Sequence, residues 1–260
     1  MNQLETMSPM KPNLLSGVCL LAGLLLPLPA FSGEVLVAVA ANFTDAARDI
    51  VSLFEKSTPY RAKLSYGSTG TLYAQIENGA PFEVFLSSDV SRAAKAEKSG
   101  LAVSGSRFTY AQGKLVLWSA KAGLFTDGQG YLVQSAYQRI AIAKPKTAPY
   151  GLAAQQVLQS LGIWDSVQPK LVFGDSIAQA FQFVATGNVP AGFVAYSQVK
   201  AWQGGPGSVW EIPGNYYKPI DQQAVLLSKG GKNSAALAFM EFLKSVQARR
   251  IITSYGYVIP

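Results

Sequence analysis

The chain has 260 residues, a formal net charge of +7 at pH 7, one cysteine and no histidine. The absence of histidine excludes Ser-His-Asp and Cys-His catalytic sites and removes the commonest metal ligand. A net positive charge favours an anionic binding partner. The lysines and arginines are scattered, however, and form no basic stripe of the kind that nucleic-acid binding needs.

The N-terminal segment has the order of a secretory signal. Lys11 precedes an apolar run over residues 14–28, and the small residues Ala30 and Ser32 follow it. We expect cleavage after Ser32, so that residues 1–32 are the signal peptide. The exported mature chain then contains no cysteine and is long enough to bury a substantial core without disulfides.

Two other interpretations of this segment stay open. A membrane anchor is the simpler alternative, although the apolar run is a little short to span a bilayer. Lipid attachment at Cys19 is disfavoured, because residues 16–18 lack the usual leucine and small residue in front of the cysteine. No later segment of the sequence is apolar enough to cross a membrane.

Beyond residue 32, continuous apolar runs alternate with segments of helical spacing. The first run is typical of a strand buried in a parallel sheet. Predicted strands cover residues 35–40, 62–66, 82–86, 115–118, 139–143, 171–173, 191–195 and 224–227. Predicted helices cover residues 43–54, 71–78, 89–98, 152–161, 177–186 and 234–245.

This alternation predicts an α/β fold with mostly parallel sheets covered by helices on both faces. One sheet would be large for this length, so we expect two lobes. The absence of a Pro/Ser-rich linker favours a chain that crosses between them more than once. Crossings near Gly113 and Pro219 give a lobe 1 of residues 33–113 and 220–260 and a lobe 2 of residues 114–219.

The turns between strands and helices are the candidate binding sites. In parallel sheets, ligands bind beyond the carboxyl ends of the strands, where the next helices begin. Turns rich in small and hydroxyl residues occur at residues 40–45, 67–71, 148–151 and 174–177. Helix N-termini bind anions through free N–H groups and a partial positive charge, without a cationic side chain.

Each turn also has a simpler interpretation. Asn42, and either Ser68 or Thr69, can be ordinary N-cap residues, most of which bind nothing. The Gly-Ser-Thr-Gly segment at residues 67–70 is not a phosphate loop, since no Lys-Ser or Lys-Thr follows it. The carboxylates of Asp45 and Asp175 are interpreted as capping or solvated groups rather than catalytic acids.

Several segments, taken in order, form a recognisable pattern. They are VAVAANFT at residues 37–44, GSTGTLYAQI at 67–76, GAP at 79–81, APYGLA at 148–153, GFVA at 192–195 and YGYV at 255–258. Together they resemble the molybdate-binding proteins of bacterial ABC importers, over essentially the whole mature chain.

The resemblance implies a two-lobed periplasmic-binding-protein fold with a mixed, mostly parallel sheet in each lobe. Its cleft closes on a tetrahedral oxyanion, molybdate or tungstate. It also implies a periplasmic monomer without catalytic activity or cofactor, which delivers its ligand to the membrane permease subunits of the importer and binds no nucleic acid.

Carried over by position, the ligand-binding residues that the resemblance implies are Asn42 with Ala41, Thr69 with Ser68, Tyr150, and the backbone of Ile177. One feature departs from many relatives, which have tyrosine where Ala195 stands and alanine where Tyr150 stands. We therefore expect the Tyr150 phenol to donate the missing hydrogen bond to a ligand oxygen. The alternative is that Tyr150 only packs as a lid.

Other specificities stay open from the sequence. Neutral donors favour a fully deprotonated oxyanion and disfavour phosphate, whereas sulfate differs only in size. Thiosulfate and ferric iron would keep the same fold. Tyr216 and Tyr217 are candidate iron ligands, although an aromatic pair at a lobe edge is the simpler interpretation. An exported enzyme would lack the usual nucleophile and base.

Overall fold

The computed structural model describes Met1 and residues 32–260. The expected signal peptide lies outside the described residues, apart from Met1 and Ser32. Among the helices of the described part, none has the length and apolar character needed to cross a membrane.

The strands follow one another in chain order. They are β1 Gly33–Ala40, β2 Tyr60–Gly67, β3 Val84–Ser87, β4 Phe108–Gly113, β5 Leu115–Ser119, β6 Ile140–Ala143, β7 Leu171–Gly174, β8 Ala191–Ala195, β9 Ser208–Glu211 and β10 Ile220–Leu226.

The α-helices lie between and after the strands. They are α1 Thr44–Ser57, α2 Thr69–Glu77, α3 Val90–Lys98, α4 Gly128–Gln134, α5 Pro149–Ser160, α6 Trp164–Val167, α7 Ile177–Ala185, α8 Tyr196–Ala201, α9 Ser234–Leu243 and α10 Val246–Ser254. Short 3-10 helices cover Ala41–Phe43, Gln168–Lys170 and Ser228–Gly230.

The strands form two mixed sheets of the same design. Sheet 1 has the order β2-β1-β3-β10-β4, and sheet 2 has the order β7-β6-β8-β5-β9. In each sheet the fourth strand, β10 or β5, runs antiparallel to both of its neighbours, while the first three strands pair in parallel. The predicted α/β fold with two mixed, mostly parallel sheets is confirmed.

The reversed strand of each sheet follows a passage of the chain between the sheets. Only Lys114 separates β4 of sheet 1 from β5 of sheet 2, and β10 of sheet 1 follows β9 of sheet 2. The lobe boundaries at residues 113–114 and 219–220 stay a prediction.

Sheet 1 is covered on both faces because its central strands are apolar on both sides. Val35, Val37 and Val39 of β1 pack with Phe54 of α1 and Phe239 of α9. The residues that point the other way pack against α2 and α3: Ala38, Phe85, Leu72 and Ala93 share a second cluster. This alternation fixes the strand ends, and with them the turns that follow.

Several elements were not predicted. They are β4, β9, α4, α6, α8 and α10, which are short or carry polar residues that obscure their periodicity. The predicted helix over residues 234–245 is wrong at its end, because α9 stops at Leu243. Ser245 instead caps α10, and its Oγ accepts a hydrogen bond from the Ala248 N–H at 3.1 Å.

Candidate functional site

A small cavity lies between the two sheets at the carboxyl ends of their strands. It is lined by Ala41, Asn42, Ser68, Thr69, Ser88, Ala148, Pro149, Tyr150 and Ile177. The structure therefore brings together all six residues that the resemblance implies as ligand-binding: Ala41, Asn42, Ser68, Thr69, Tyr150 and Ile177. We call Ala41, Asn42, Ser68, Thr69 and Ser88 the sheet-1 wall, and Ala148, Pro149, Tyr150 and Ile177 the sheet-2 wall.

Helix starts dominate both walls. Thr69 is the first residue of α2, Pro149 and Tyr150 open α5, and Ile177 opens α7. The first N–H groups of a helix have no acceptor within the helix and carry a partial positive charge. Three helices thus begin at one small space, which is an arrangement suited to an anion.

Two of the three hydroxyl groups of the sheet-1 wall, those of Thr69 and Ser88, are linked to each other, and the third, on Ser68, caps a helix. Thr69 Oγ1 lies 2.7 Å from Ser88 Oγ and accepts a hydrogen bond from the Ser88 N–H at 3.1 Å. Ser68 caps α2, and its Oγ accepts from the Thr71 N–H at 3.4 Å. Because the two hydroxyls of Thr69 and Ser88 share one hydrogen bond, one proton of the pair stays available for a ligand.

Ser88 was missed by the sequence analysis. It follows β3 directly, in the same position relative to its strand as Ser68 has relative to β2. The rule that selected the other turns applies equally here. The stronger sequence signal at this turn is Asp89 as the cap of α3, which the structure confirms through the Arg92 N–H at 2.7 Å, and it obscures the serine before it.

Asn42 is not an N-cap. It lies within the short 3-10 helix and is 3% exposed, and α1 begins without any side-chain cap. Its Nδ2 donates to Gln222 Oε1 at 2.9 Å and to Tyr257 Oη at 3.0 Å, with Tyr150 Oη at 3.4 Å. Its Oδ1 is buried and has no hydrogen-bond partner. The amide therefore serves long-range contacts, and the interpretation of Asn42 as an ordinary cap is wrong.

The Tyr150 side chain is 1% exposed and reaches from the cavity towards the end of β4. Its Oη accepts a hydrogen bond from Gln222 Nε2 at 3.2 Å. A side chain at Gly113 would collide with the phenol oxygen, so this position must be glycine. Burial raises the pKa of Tyr150 well above its usual value, which keeps the hydroxyl protonated and neutral.

The cavity itself is uncharged. Among the described residues, none that lines it has an ionisable side chain apart from the neutral phenol. Asp45 and Asp175 pair with Arg48 and Lys144 in exposed positions. Within residues 32–260, no group of three or more acidic, histidine or cysteine side chains is placed to hold a metal ion.

The remaining singled-out residues lie elsewhere. Ala195 ends β8, is fully buried and does not line the cavity. Tyr216 Oη donates to Gln129 Oε1 at 3.2 Å, and Tyr217 Oη accepts from the Leu115 N–H at 3.2 Å. Both phenols thus make contacts within the fold that the aromatic-pair interpretation expects.

Residues that flank the two walls hold them together at their outer edge. The Gly70 N–H donates to Thr147 O at 2.8 Å, and Arg92 Nη2 donates to Lys146 O at 2.8 Å. Ser197 Oγ donates to Asn42 O at 2.9 Å on another side. These bonds close the cleft around the cavity.

A larger groove of about 580 Å³ adjoins the cavity and shares Ser88 and Pro149 with it. Cations outnumber carboxylates along this groove, whose charged residues are Arg92, Lys95, Lys146, Lys218, Asp89 and Asp221. The positive excess favours anions at the entrance to the uncharged cavity.

Comparison with known proteins places the chain in a family. A model of the bacterial extracellular solute-binding proteins matches residues 35–258. The chain belongs to this family. Among its relatives is the molybdate-binding protein ModA of Rhodobacter capsulatus, 53% identical over 233 residues, or 90% of this chain and 91% of that protein. The ModA of Azotobacter vinelandii is 54% identical over 241 residues, or 92% and 95% of the two chains.

Solved structures share the fold. The Azotobacter vinelandii periplasmic molybdate-binding protein superposes with a TM-score of 0.83 at 44% identity, over 87% of this chain and all of that one. The sulfate-binding protein SubI from Mycobacterium tuberculosis has a TM-score of 0.71 at 14% identity over 86% of each chain, which shows the shared fold alone. The resemblance and the two-lobed periplasmic-binding-protein fold are confirmed, and these relatives are binding proteins rather than enzymes.

Proposed function

We propose that this protein binds molybdate or tungstate in the periplasm and delivers it to the permease of an ABC importer. The observation that carries the proposal is the uncharged cavity at which three helices begin, closed between the two walls. The molybdate-binding names of relatives at 53% and 54% identity support the choice of ligand.

The site is a set of neutral donors. Thr69 and Tyr150 contribute hydroxyls, and Ile177 contributes its backbone N–H. Both hydrogens of Asn42 Nδ2 are used inside the protein, so Asn42 and Ala41 act through their backbone, with Ser68 beside them. Ser88 supports the Thr69 hydroxyl, because the hydrogen bond between the two leaves one proton of the pair for the ligand.

Neutral donors suit this ligand. Desolvating a dianion costs several kcal/mol or more, and each hydrogen bond to a charged group contributes roughly 1.5–3 kcal/mol. About five donors therefore outweigh the cost of association. A protonated phosphate would need an acceptor for its proton, whereas molybdate and tungstate are fully deprotonated at neutral pH. Sulfate differs only in size.

The remaining parts of the proposal concern the protein as a whole. The signal peptide is cleaved after Ser32, and the mature chain is a monomer without catalytic activity or cofactor. Its lobes, residues 33–113 with 220–260 and residues 114–219, close over the ligand. Closure then presents both lobes to the membrane permease subunits.

The test is a thermal melt of the purified mature chain with molybdate, tungstate, sulfate, thiosulfate, phosphate or ferric iron. A ligand at a thousand times its dissociation constant adds about 4 kcal/mol to the free energy of unfolding. We expect molybdate and tungstate to raise the melting temperature by roughly 8–16 °C. Phosphate should have no effect. A larger shift with sulfate would reassign the ligand, and a flat molybdate titration would refute the proposal.

A further inference from the structure

A chain of buried hydrogen bonds runs behind the cavity. Its centre is Gln222 on β10, which is fully buried and lies next to an irregularity in the β10–β4 pairing. Gln222 does not line the cavity. It contacts the side chains of two residues that do, Asn42 and Tyr150, and also the hydroxyl of Tyr110.

In the structure, the bonds around Gln222 form one directed chain. Tyr257 Oη lies 2.7 Å from Asn42 O and 3.0 Å from Ser197 Oγ, and its proton is donated to one of these atoms. The phenol oxygen of Tyr257 then accepts from Asn42 Nδ2, which also donates to Gln222 Oε1. Tyr110 Oη donates to the same Oε1 at 3.0 Å. The Gln222 amide is thus held with its Nε2 towards Tyr150.

This direction determines what Tyr150 can offer to a ligand. Its Oη accepts from Gln222 Nε2 at 3.2 Å and faces Asn42 Nδ2 at 3.4 Å, both of which are donors. Among the described residues, none accepts the phenol proton of Tyr150. A hydroxyl whose lone pairs are already engaged by donors is left with its proton to give.

We propose that Gln222 is a positioning residue that makes the Tyr150 hydroxyl a hydrogen-bond donor to the bound oxyanion, an inference that rests on the proposed function. Gln222 acts without touching the ligand. If the residue at this position accepted the phenol proton instead, Tyr150 would present only lone pairs to the anion and repel it.

A competing arrangement exists. Turning the Asn42 and Gln222 amides by half a turn gives the unpartnered Asn42 Oδ1 a donor and points Asn42 Nδ2 away from Gln222. It also directs the phenol proton of Tyr150 to Gln222 Oε1. In that arrangement Tyr150 donates nothing to the ligand, and Tyr150→Phe leaves the affinity unchanged.

The decisive substitution is Gln222→Glu. It keeps the shape of the side chain but replaces the Nε2 donor by an acceptor. The Tyr150 hydroxyl then donates its proton to the carboxylate instead of to the ligand. We expect molybdate affinity, measured by titration calorimetry, to fall roughly tenfold to a hundredfold. The matched control is Gln223→Glu, the same change one residue away. Gln223 bonds Arg107 and Thr109 instead, and this variant should keep the wild-type affinity.

Lowering the pH should reverse the effect in Gln222→Glu alone. Burial raises the pKa of a carboxyl at this position, and a protonated carboxyl again donates to Tyr150. The titratable groups around it are the phenols of Tyr110, Tyr150 and Tyr257, whose pKa values burial also raises, so they stay neutral. Affinity of this variant should therefore rise as the pH falls, while the wild type stays constant. Such a recovery would show that the loss comes from the ionised carboxylate and not from a change of shape.

A double-mutant cycle with Tyr150→Phe separates this role from simple charge repulsion. If Gln222 acts through the Tyr150 proton, Gln222→Glu should cost much less affinity in the Tyr150→Phe background, where the hydroxyl is absent. Equal losses in both backgrounds, or wild-type affinity in Tyr150→Phe, would overturn the inference. Should Gln222→Glu fail to fold, Gln222→Met replaces it, with a smaller loss that must also shrink in the Tyr150→Phe background.

A ligand-free measurement keeps this test apart from the proposed function. The intensity ratio of the tyrosine Fermi doublet in ultraviolet resonance Raman spectra reports whether a phenol donates or accepts. The difference between a protein with Tyr150 and its Tyr150→Phe counterpart isolates this residue. We expect an accepting phenol in the otherwise wild-type chain and a donating one in Gln222→Glu. Identical ratios would overturn the inference even if molybdate did not bind at all.

Discussion

The two walls of the cavity are built from different chemistry on equivalent sheets. The sheet-1 wall carries the hydroxyls of Ser68, Thr69 and Ser88, and its Asn42 amide is bonded within the protein. The sheet-2 wall supplies one phenol, on Tyr150, and otherwise small or apolar residues whose backbone is the only polar part. Since both sheets share the same strand order and the same reversed fourth strand, the difference lies in the turns alone.

This difference suggests that the two walls contribute to different steps, one to affinity and the other to release of the ligand. Hydroxyls that bond one another, as Thr69 and Ser88 do, form a preorganised part of the site. On the proposed function, the backbone N–H groups of the sheet-2 wall would reach the ligand only when the walls meet. We therefore expect the sheet-1 wall to supply most of the side-chain contribution to affinity, and the contact between the walls to govern release.

The largest effect is expected from Thr69→Val, which removes a hydroxyl of the sheet-1 wall without changing its shape. The loss of one hydrogen bond to a charged ligand corresponds to roughly 1.5–3 kcal/mol, or about ten- to a hundredfold in affinity. Titration calorimetry with molybdate measures it. Thr71→Val is the control, because Thr71 is exposed and bonds only Ser68. Equal losses in the two variants would break the comparison between the walls.

A smaller effect is expected from Gly70→Ala, which acts on the contact between the walls. The new Cβ would lie 2.9 Å from Thr147 O and 3.0 Å from its Cα, too close for the cleft to close fully. Overpacking of this kind costs about 1 kcal/mol or more, so the dissociation rate of molybdate should rise roughly fivefold.

Stopped-flow displacement measures this rate. Gly214→Ala is the matched control, because nothing lies within 4 Å of its Cβ. An unchanged dissociation rate in Gly70→Ala would show that closure at this edge does not retain the ligand.

The smallest effect on molybdate affinity is expected from a change of pH. Neither wall contains a histidine or carboxylate, and burial raises the pKa of Tyr150. A raised phenol pKa means that the donor proton is lost only well above neutrality, so affinity should stay constant between about pH 6 and 8. Molybdate titrations at several pH values check this. A tenfold change would reveal an ionisable group that acts on the site from outside both walls.

Much of the sheet-1 wall could be predicted from the sequence. Asn42 follows the clear apolar run of β1, and Ser68 and Thr69 follow β2, whose alternation is weak but which precedes a predicted helix. The rule for parallel sheets then places all three residues at one edge. The same rule brought Tyr150 and Ile177 to that edge. What these residues bind follows from the family resemblance, and their roles as ligands stay a prediction.

The polar network behind the site could not be predicted. Gln222 lies 180 residues from Asn42 and 72 from Tyr150, so no local pattern connects them. The predicted last strand also began too late, at residue 224, whereas β10 begins at Ile220. Polar residues at 221–223 resemble a loop in sequence, whereas in the structure their backbone pairs with β4 and Gln222 is fully buried.

The contact between the Tyr150 phenol and Gly113 has an evolutionary consequence. A methyl group at Gly113 would occupy the place of the phenol oxygen, so no side chain is tolerated there while the tyrosine is present. Residues 113 and 150 are therefore expected to change in a fixed order during evolution. In a lineage that loses the tyrosine, the glycine is free to vary. In a lineage that replaces the glycine first, a tyrosine at position 150 no longer fits.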